Sequence, residues 1–398
     1  MTTVPTSRTS AILLGACLIL IAFNLRLVFS SLSVLLPEIT AGLNMSGTVA
    51  GYLTTVPVLC MGVFAPAAPW LGRRIGTERS LLIVLVLLTI GTALRGADGI
   101  GTLFVGSIIA GGAIAIGNVL LPSLVKRDFA SRPGLMTGLY TMSLCGGAAV
   151  AAAATLPLIH GLGSEWDLGV AMWAVPAVVV GLLWAPMALK TGTGGVRKML
   201  PVRHLHRDPL AWNVTFFMGL QSALAYCVMG WLAPIIRERG VSGTEAGIVV
   251  SVSIMMQVVA CLLVPLLASR RRDQRVISVT LVLLAIVGLL GMLAAPLWSI
   301  WIWAVIQGIG QGGLFAVAMM FIVLRSPDAH VAAQLSGMAQ TIGYVLAAGG
   351  PLLVGILHDR FGSFDATAWL FIGLGVLTAY NGWRAGRNML VRAEVVTT

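Results

Sequence analysis

The chain has 398 residues, of which 58% are apolar and only 10% are charged, and its mean hydropathy is +0.96. Soluble domains carry about 25% charged residues, so this composition excludes a soluble protein and predicts an integral membrane protein. The formal net charge of +11 comes from basic residues grouped between apolar runs, and it requires no nucleic-acid partner.

Twelve apolar runs follow one another along the chain. Each is long enough to cross a hydrocarbon core of ~30 Å as a helix. We therefore predict an all-α integral membrane protein with twelve transmembrane helices in contact with the lipid bilayer. The predicted helices are 10–36, 47–70, 80–97, 101–125, 134–160, 168–189, 210–236, 243–268, 276–296, 299–325, 333–357 and 366–383.

The first helix contains Arg26, and no other charged residue lies near the middle of any run. A charge at the centre of a membrane helix costs roughly 2.5–3.5 kcal/mol on insertion scales. None of the 14 carboxylates falls near the middle of a run, so Arg26 has no obvious acidic partner. We expect it to bind an anionic substrate. The alternative is a structural brace, in which Arg26 bonds to backbone carbonyls.

The two halves of the chain repeat. Ser46-Gly47-Thr48-Val49-Ala50-Gly51 recurs as Ser242-Gly243-Thr244-Glu245-Ala246-Gly247, and Thr137-Gly138 aligns with Ser336-Gly337. Six helices per half give both halves the same orientation, with a substrate cavity between them. We predict two pseudo-symmetric six-helix bundles, 1–190 and 210–398, joined by a Gly-rich linker at 191–209.

The basic residues divide unevenly between the two sides of the membrane. With the N-terminus in the cytoplasm, 20 Lys and Arg residues fall on that side and 4 on the other. Arg325 is counted in a cytoplasmic loop and Arg95 in an outer one. The positive-inside rule then predicts a multi-pass protein of the cell inner (plasma) membrane with both termini cytoplasmic.

These features, taken together, resemble the major facilitator superfamily over essentially the whole chain. The stretch Asn24-Leu25-Arg26 followed by Ser33-Val34-Leu35-Leu36-Pro37-Glu38 resembles more specifically its cyanate permease and 2-nitroimidazole transporter family. The resemblance implies transport of cyanate-like anions or nitroimidazole-type compounds. The loop signature of the superfamily usually carries an Asp before its first Arg. Here Gly72 or Arg73 stands at that place, and Ser269 in the second copy, which puts a carboxylate latch at that side in doubt.

Other polar residues inside the apolar helices are candidates for substrate binding. Each could instead join neighbouring helices, a contact worth about 0.5–2 kcal/mol, and glycines beside them are more often packing residues. Beside Arg26 the candidates are Asn24, Ser30, Tyr52, Asn118, Tyr140, Gln221, Tyr226, Gln311, Gln340 and Tyr344.

These observations predict a secondary active or facilitative transporter that moves a small anion or compact polar organic molecule by alternating access. Helices one, four, seven and ten would line the route. The alternative is an efflux pump for neutral drug-like compounds. A receptor or scaffold would lack the internal repeat, and no catalytic constellation indicates an enzyme. We expect no cofactor and no metal site, and we expect a monomer.

Overall fold

The computed structural model describes residues 8–97, 99–129, 133–190, 202–268, 272–327 and 329–395. Twelve helices cover most of these residues. They are α1 (Arg8–Gly42), α2 (Gly47–Val63 and Ala67–Ile75), α3 (Thr77–Leu94), α4 (Ile100–Asp128), α5 (Pro133–Leu162), α6 (Trp166–Ala171 and Ala174–Lys190), α7 (Pro209–Glu238), α8 (Gly243–Ala268), α9 (Arg275–Ala294), α10 (Ile300–Leu324), α11 (Ala329–Phe361) and α12 (Thr367–Ala385). Two short strands, β1 (Val202–Arg203) and β2 (Glu394–Val395), pair antiparallel.

Helices α2 and α6 are each broken once, where the sequence predicts continuous helices. The break in α2 lies just before Ala67 and that in α6 just before Ala174. Pro66 precedes the first restart and Pro176 follows the second. Proline lacks the backbone N–H that would continue the helical ladder, so each of these prolines removes one helical hydrogen bond beside the break.

The packing of the helices follows a pseudo-twofold pattern. In the first half α1 packs on α5, α3 on α4 and α6, and α2 on α4. In the second half α7 packs on α11, α9 on α10 and α12, and α8 on α10. Across the halves α2 packs on α11 and α5 packs on α8. Each of these contacts thus has a counterpart six helices later, which confirms the two six-helix bundles.

The repeated Ser-Gly-Thr segments perform the same task in each half. Ser46 caps the start of α2 by accepting the Val49 N–H at 3.3 Å, and Ser242 accepts the Glu245 N–H at the start of α8 at 3.3 Å. One turn later, Gly51 contacts α11 and Gly247 contacts α5 backbone to backbone. The repeat therefore encodes the two symmetric seams between the halves.

Ten helices in the described part of the chain are long and apolar enough to cross a membrane. The first segment of α2 (Gly47–Val63) is a shorter apolar helix. Residues 191–201 of the predicted linker lie outside the described residues, and the division at 191–209 stays a prediction. We call the end of the bundle where α1 begins the basic end, and the end where α1 finishes at Gly42 the far end.

Two arginines that the sequence assigns to loops are buried. Arg325 is 2% exposed and donates to the carbonyls of Ala385 and Gly386 and to the Gln274 side chain. Arg95 is fully buried and donates from Nη1 to the α1 carbonyl of Val28 at 3.1 Å, while its Nε and Nη2 find no partner among the described residues. Each arginine is the C-terminal capping residue of a helix, and its side chain is buried in the protein. Leaving Arg325 and Arg95 out of the counts takes one basic residue from each side of the membrane, so the uneven distribution of Lys and Arg persists.

Candidate functional site

Arg26 lies at the middle of the molecule, where α1 of the first half meets α7 of the second. Its Nη1 donates to the Tyr226 hydroxyl at 3.3 Å and contacts the Met229 sulfur at 3.7 Å. The guanidinium carbon lies 5.7 Å from the ring centre of Phe29 and 5.8 Å from that of Tyr226. Aromatic faces attract a cation but do not neutralise it. None of the ion pairs found among the described residues involves Arg26.

A cavity of about 90 Å³ opens beside this guanidinium, between the two halves. The first half contributes Arg26 and a wall of α5 that includes Thr141 and Cys145. The second half contributes residues from α7, α8, α10 and α11, and they include Gln221, Ser222, Tyr226, Gln257, Cys261, Gln311, Phe315 and Tyr344. Helix α4 is absent from this lining, and α5 and α8 occupy the place that we expected for it.

Three glutamine side chains also lie on the cavity wall. Gln311 donates from Nε2 to the Gln221 backbone carbonyl at 3.0 Å and to its Oε1 at 3.3 Å. Gln221 in turn donates to Ser222 at 2.8 Å. The Oε1 atom of Gln311 is buried without a partner among the described residues. Gln257 on α8 completes the set. The cavity lining therefore combines a positive group with neutral amide groups.

Tyr226 connects the two halves of the molecule, and Tyr344 packs against it. Tyr226 donates its hydroxyl proton to the Met61 sulfur on α2 at 3.0 Å. Its ring meets Tyr344 edge-on, with the ring centres 6.2 Å apart. Since Tyr226 also accepts from Arg26, this one residue of the second half touches two helices of the first.

Of the residues predicted to bind substrate, five line the cavity and six do not. Those that line it are Arg26, Gln221, Tyr226, Gln311 and Tyr344. Asn24 donates to the Leu20 carbonyl within its own helix, and Gln340 donates to Ser336. Ser30 is buried without a partner among the described residues, while Tyr52 is 49% exposed. Asn118 and Tyr140 are partly buried and outside the lining.

Gln257 lines the cavity although we did not select it from the sequence. Its signal was present: it is an amide in the middle of the apolar run 243–268. The same signal selected Gln221 and Gln311.

The far end of the molecule is closed by polar contacts between the halves. Arg237 of α7 forms two bonds of 2.8 Å with the Glu38 carboxylate of α1 and a third of 3.2 Å to the Val34 carbonyl. Asp359 of α11 accepts the N–H groups of Gly47 and Thr48, the first residues of α2, at 2.5 and 2.6 Å. Carboxylates are favourable at a helix N-terminus. Carboxylates of both halves thus hold this end together.

The family model of the Major Facilitator Superfamily matches residues 18–275 and 214–386. The chain is 39% identical to the uncharacterized transporter YycB of Bacillus subtilis (strain 168), covering 94% of this chain and 93% of that protein. It is 36% identical to the 2-nitroimidazole transporter of Escherichia coli (strain K12), over 97% and 98% of the two chains. It is 30% identical to the cyanate transport protein CynX of the same organism, over 91% and 95%.

Among solved structures, the fold is similar to that of a bacterial homolog of the human lysosomal transporter Spinster in an inward-facing and occupied conformation. The TM-score is 0.72 at 16% identity, and the match covers 96% of this chain and 94% of that chain. At this identity the likeness concerns the fold alone.

Proposed function

The chain belongs to the major facilitator superfamily, and we propose that this membrane transporter moves a compact anion, or a compact polar molecule with a negative end, which binds to Arg26. The observation that carries the proposal is a cavity-lining guanidinium beside two aromatic rings, with no carboxylate among the described residues that line the cavity. The relatives named above carry cyanate and 2-nitroimidazole according to their names, and both fit this class.

The electrostatics of Arg26 favour an anion as the missing partner. A charge removed from water is costly unless it is paired and hydrogen-bonded. Arg26 is partly buried, and its hydrogen bonds to the described residues come from Nη1, so Nε and Nη2 would donate to a ligand. A guanidinium presents paired donors that fit a carboxylate or a linear anion. Substrate binding would therefore complete a charge pair that the protein leaves open.

The size of the cavity favours a compact substrate. Sites for drug-sized ligands enclose roughly 300–1,000 Å³, whereas the space beside Arg26 is about 90 Å³. This supports the small anion over the alternative of an efflux pump for neutral drug-like compounds. The amide groups of Gln221, Gln257 and Gln311, which line the same cavity, would hydrogen-bond the polar remainder of the molecule.

We propose alternating access between two halves, 1–190 and 210–398, joined by a cytoplasmic linker at 191–209. Both termini and the basic end would face the cytoplasm, in the inner (plasma) membrane, because of the positive-inside rule. With the far end closed by Glu38–Arg237 and Asp359, the cavity would then exchange with the cytoplasmic side. The protein would work as a monomer, since each half supplies part of the same cavity.

Transport by proteoliposomes tests this function. Uptake and binding of labelled cyanate, a 2-nitroimidazole and a neutral drug-like compound are compared for the wild type, Arg26→Lys and Arg26→Ala. Loss of the charge-assisted contact in Arg26→Ala should weaken binding by about 10- to 150-fold, equivalent to roughly 1.5–3 kcal/mol. Arg26→Lys keeps the charge but loses the planar fork, so it should restore only part of the affinity.

Ser30→Ala is the matched control, because Ser30 lies one turn along α1, buried and outside the cavity lining. It should bind like the wild type. Arg26→Ala protein with native-like affinity and a lowered melting temperature would show that Arg26 is a structural brace. Preference for the drug-like compound would favour the efflux alternative.

A further inference from the structure

A second positively charged site lies at the basic end, away from the transport cavity. Arg384, Arg387 and Arg392 line a groove of about 230 Å³ between the end of α12, the C-terminal segment and the start of α7. We call this the C-terminal groove. Its walls also include Asn213, Met389 and Leu390.

The three arginines of the groove outnumber the one carboxylate among its lining residues, Asp208. None of the ion pairs found among the described residues involves its three arginines. The carboxylate in its wall, Asp208, accepts the N–H of Leu210 at 2.6 Å and the backbone N–H of Arg392. Asp208 therefore serves as a helix cap and a tether for the tail, and its oxygens are taken by backbone groups.

The segment that carries these arginines is fixed in place. The Val391 N–H donates to the Arg325 carbonyl at 2.8 Å, and the Gln274 N–H donates to the Gly386 carbonyl at 3.0 Å. Strand β2 pairs with β1 directly beyond the groove. Because the backbone is anchored on both sides of Arg387 and Arg392, the groove is preformed, and a ligand does not need to order the tail.

Apolar residues line the groove, and two tryptophans are sequence neighbours of its lining residues. Met389 and Leu390 are about half exposed, and so is Trp383, one residue before Arg384. The Trp212 indole N–H donates to the His206 carbonyl at 2.8 Å on the α7 side. Tryptophans of this kind collect at the headgroup level of a bilayer. The groove thus combines arginines on an anchored backbone with exposed apolar side chains at the end of a membrane helix.

We propose that the C-terminal groove binds the phosphate headgroup of an anionic phospholipid. Arginine is suited to phosphate because its paired donors match the phosphate oxygens, and basic pockets beside transmembrane helices bind anionic headgroups. The exposed Met389 and Leu390 side chains would contact the lipid chains, a contact that free phosphate cannot make.

The test uses full-length transporter purified and stripped of lipid. Binding of phosphatidylglycerol, phosphatidylcholine and inorganic phosphate is measured by native mass spectrometry and by thermal shift. Each arginine near an anionic lipid is worth roughly fivefold in affinity, so Arg384→Gln/Arg387→Gln should bind phosphatidylglycerol about 10- to 30-fold more weakly. The control, Arg74→Gln/Arg272→Gln, removes two exposed charges from the same end outside the groove and should bind like the wild type.

Two results would overturn the proposal. Equal losses in both double variants would show general attraction to a basic surface, and equal stabilisation by inorganic phosphate and phosphatidylglycerol would show a site for free phosphate. Arg384→Lys/Arg387→Lys keeps the charge and should retain most of the binding. If the glutamine pair does not fold, the single variant Arg387→Gln, expected to bind about fivefold more weakly, tests the same point.

Discussion

Replacing Asp359 by Asn should open the far end of the transporter. The Asp359 carboxylate accepts two N–H groups at the start of α2, in the other half of the molecule. Asparagine keeps one acceptor oxygen and loses the charge. A hydrogen bond to a charged group contributes about 1.5–3 kcal/mol, and a charge at a helix N-terminus about 0.3–1 kcal/mol. Because this site is solvent-exposed, we expect a loss of about 1–2 kcal/mol, which raises the ratio of open to closed far ends about 5- to 30-fold.

Distances between spin labels measure this change. Leu162 and Trp298 are exposed residues at the far end, in opposite halves, and each accepts a labelled cysteine in a background without the five native cysteines. Asp359→Asn should add a population at longer distance. The matched control is Asp365→Asn, since the Asp365 carboxylate accepts from Ser363 within its own half. An unchanged distribution in Asp359→Asn, or an equal change in the control, would refute this reasoning.

The two buried arginines at helix ends should respond in opposite ways to removal of the charge. Arg325→Met removes the guanidinium that donates to the Ala385 carbonyl and to the Gln274 side chain and should destabilise the protein by about 1–3 kcal/mol. Arg95→Met gives up one bond and two unpartnered nitrogens, so it should be neutral or stabilising; a melting temperature well below that of the wild type would contradict this. For topology, a cysteine at Gly163 should react with a membrane-impermeant reagent in intact cells and one at Gly194 should not. Labelling of Gly194 would overturn the cytoplasmic assignment of the linker.

The number and limits of the helices could be predicted because hydropathy and length decide which segments cross a bilayer. Predicted and observed ends differ by a few residues in most helices. The burial of Arg95 and Arg325 could not be predicted. A charged residue at the end of an apolar run ordinarily faces water, and the carbonyls that hold these two arginines come from helices distant in the sequence. The breaks in α2 and α6 had a local signal in their prolines, which we did not use.

The candidate site was predictable in kind but not in detail. An unpaired arginine in a membrane helix is expensive enough to indicate function on its own, and the cavity forms beside Arg26. Which face of a helix points inward is harder to predict, because lipid and protein interior are both apolar. Asn118 and Gln257 therefore look alike in the sequence, and only the packing of α4 and α8 separates them.

The close seams between the halves offer a means of arresting the transport cycle. A methyl group at Gly247 would lie 2.2 Å from the Ala152 carbonyl oxygen, and one at Gly51 would lie 3.1 Å from that of Leu352. The first distance is too short for any carbon, whereas the second is only tight. The methyl group of Gly247→Ala would thus be sterically incompatible with the closed far end. At the symmetric position, Gly51→Ala would destabilise the same closed state more weakly, because its methyl group has more room. Such variants would hold the state that is open at the far end long enough to select conformation-specific antibodies or to determine its structure.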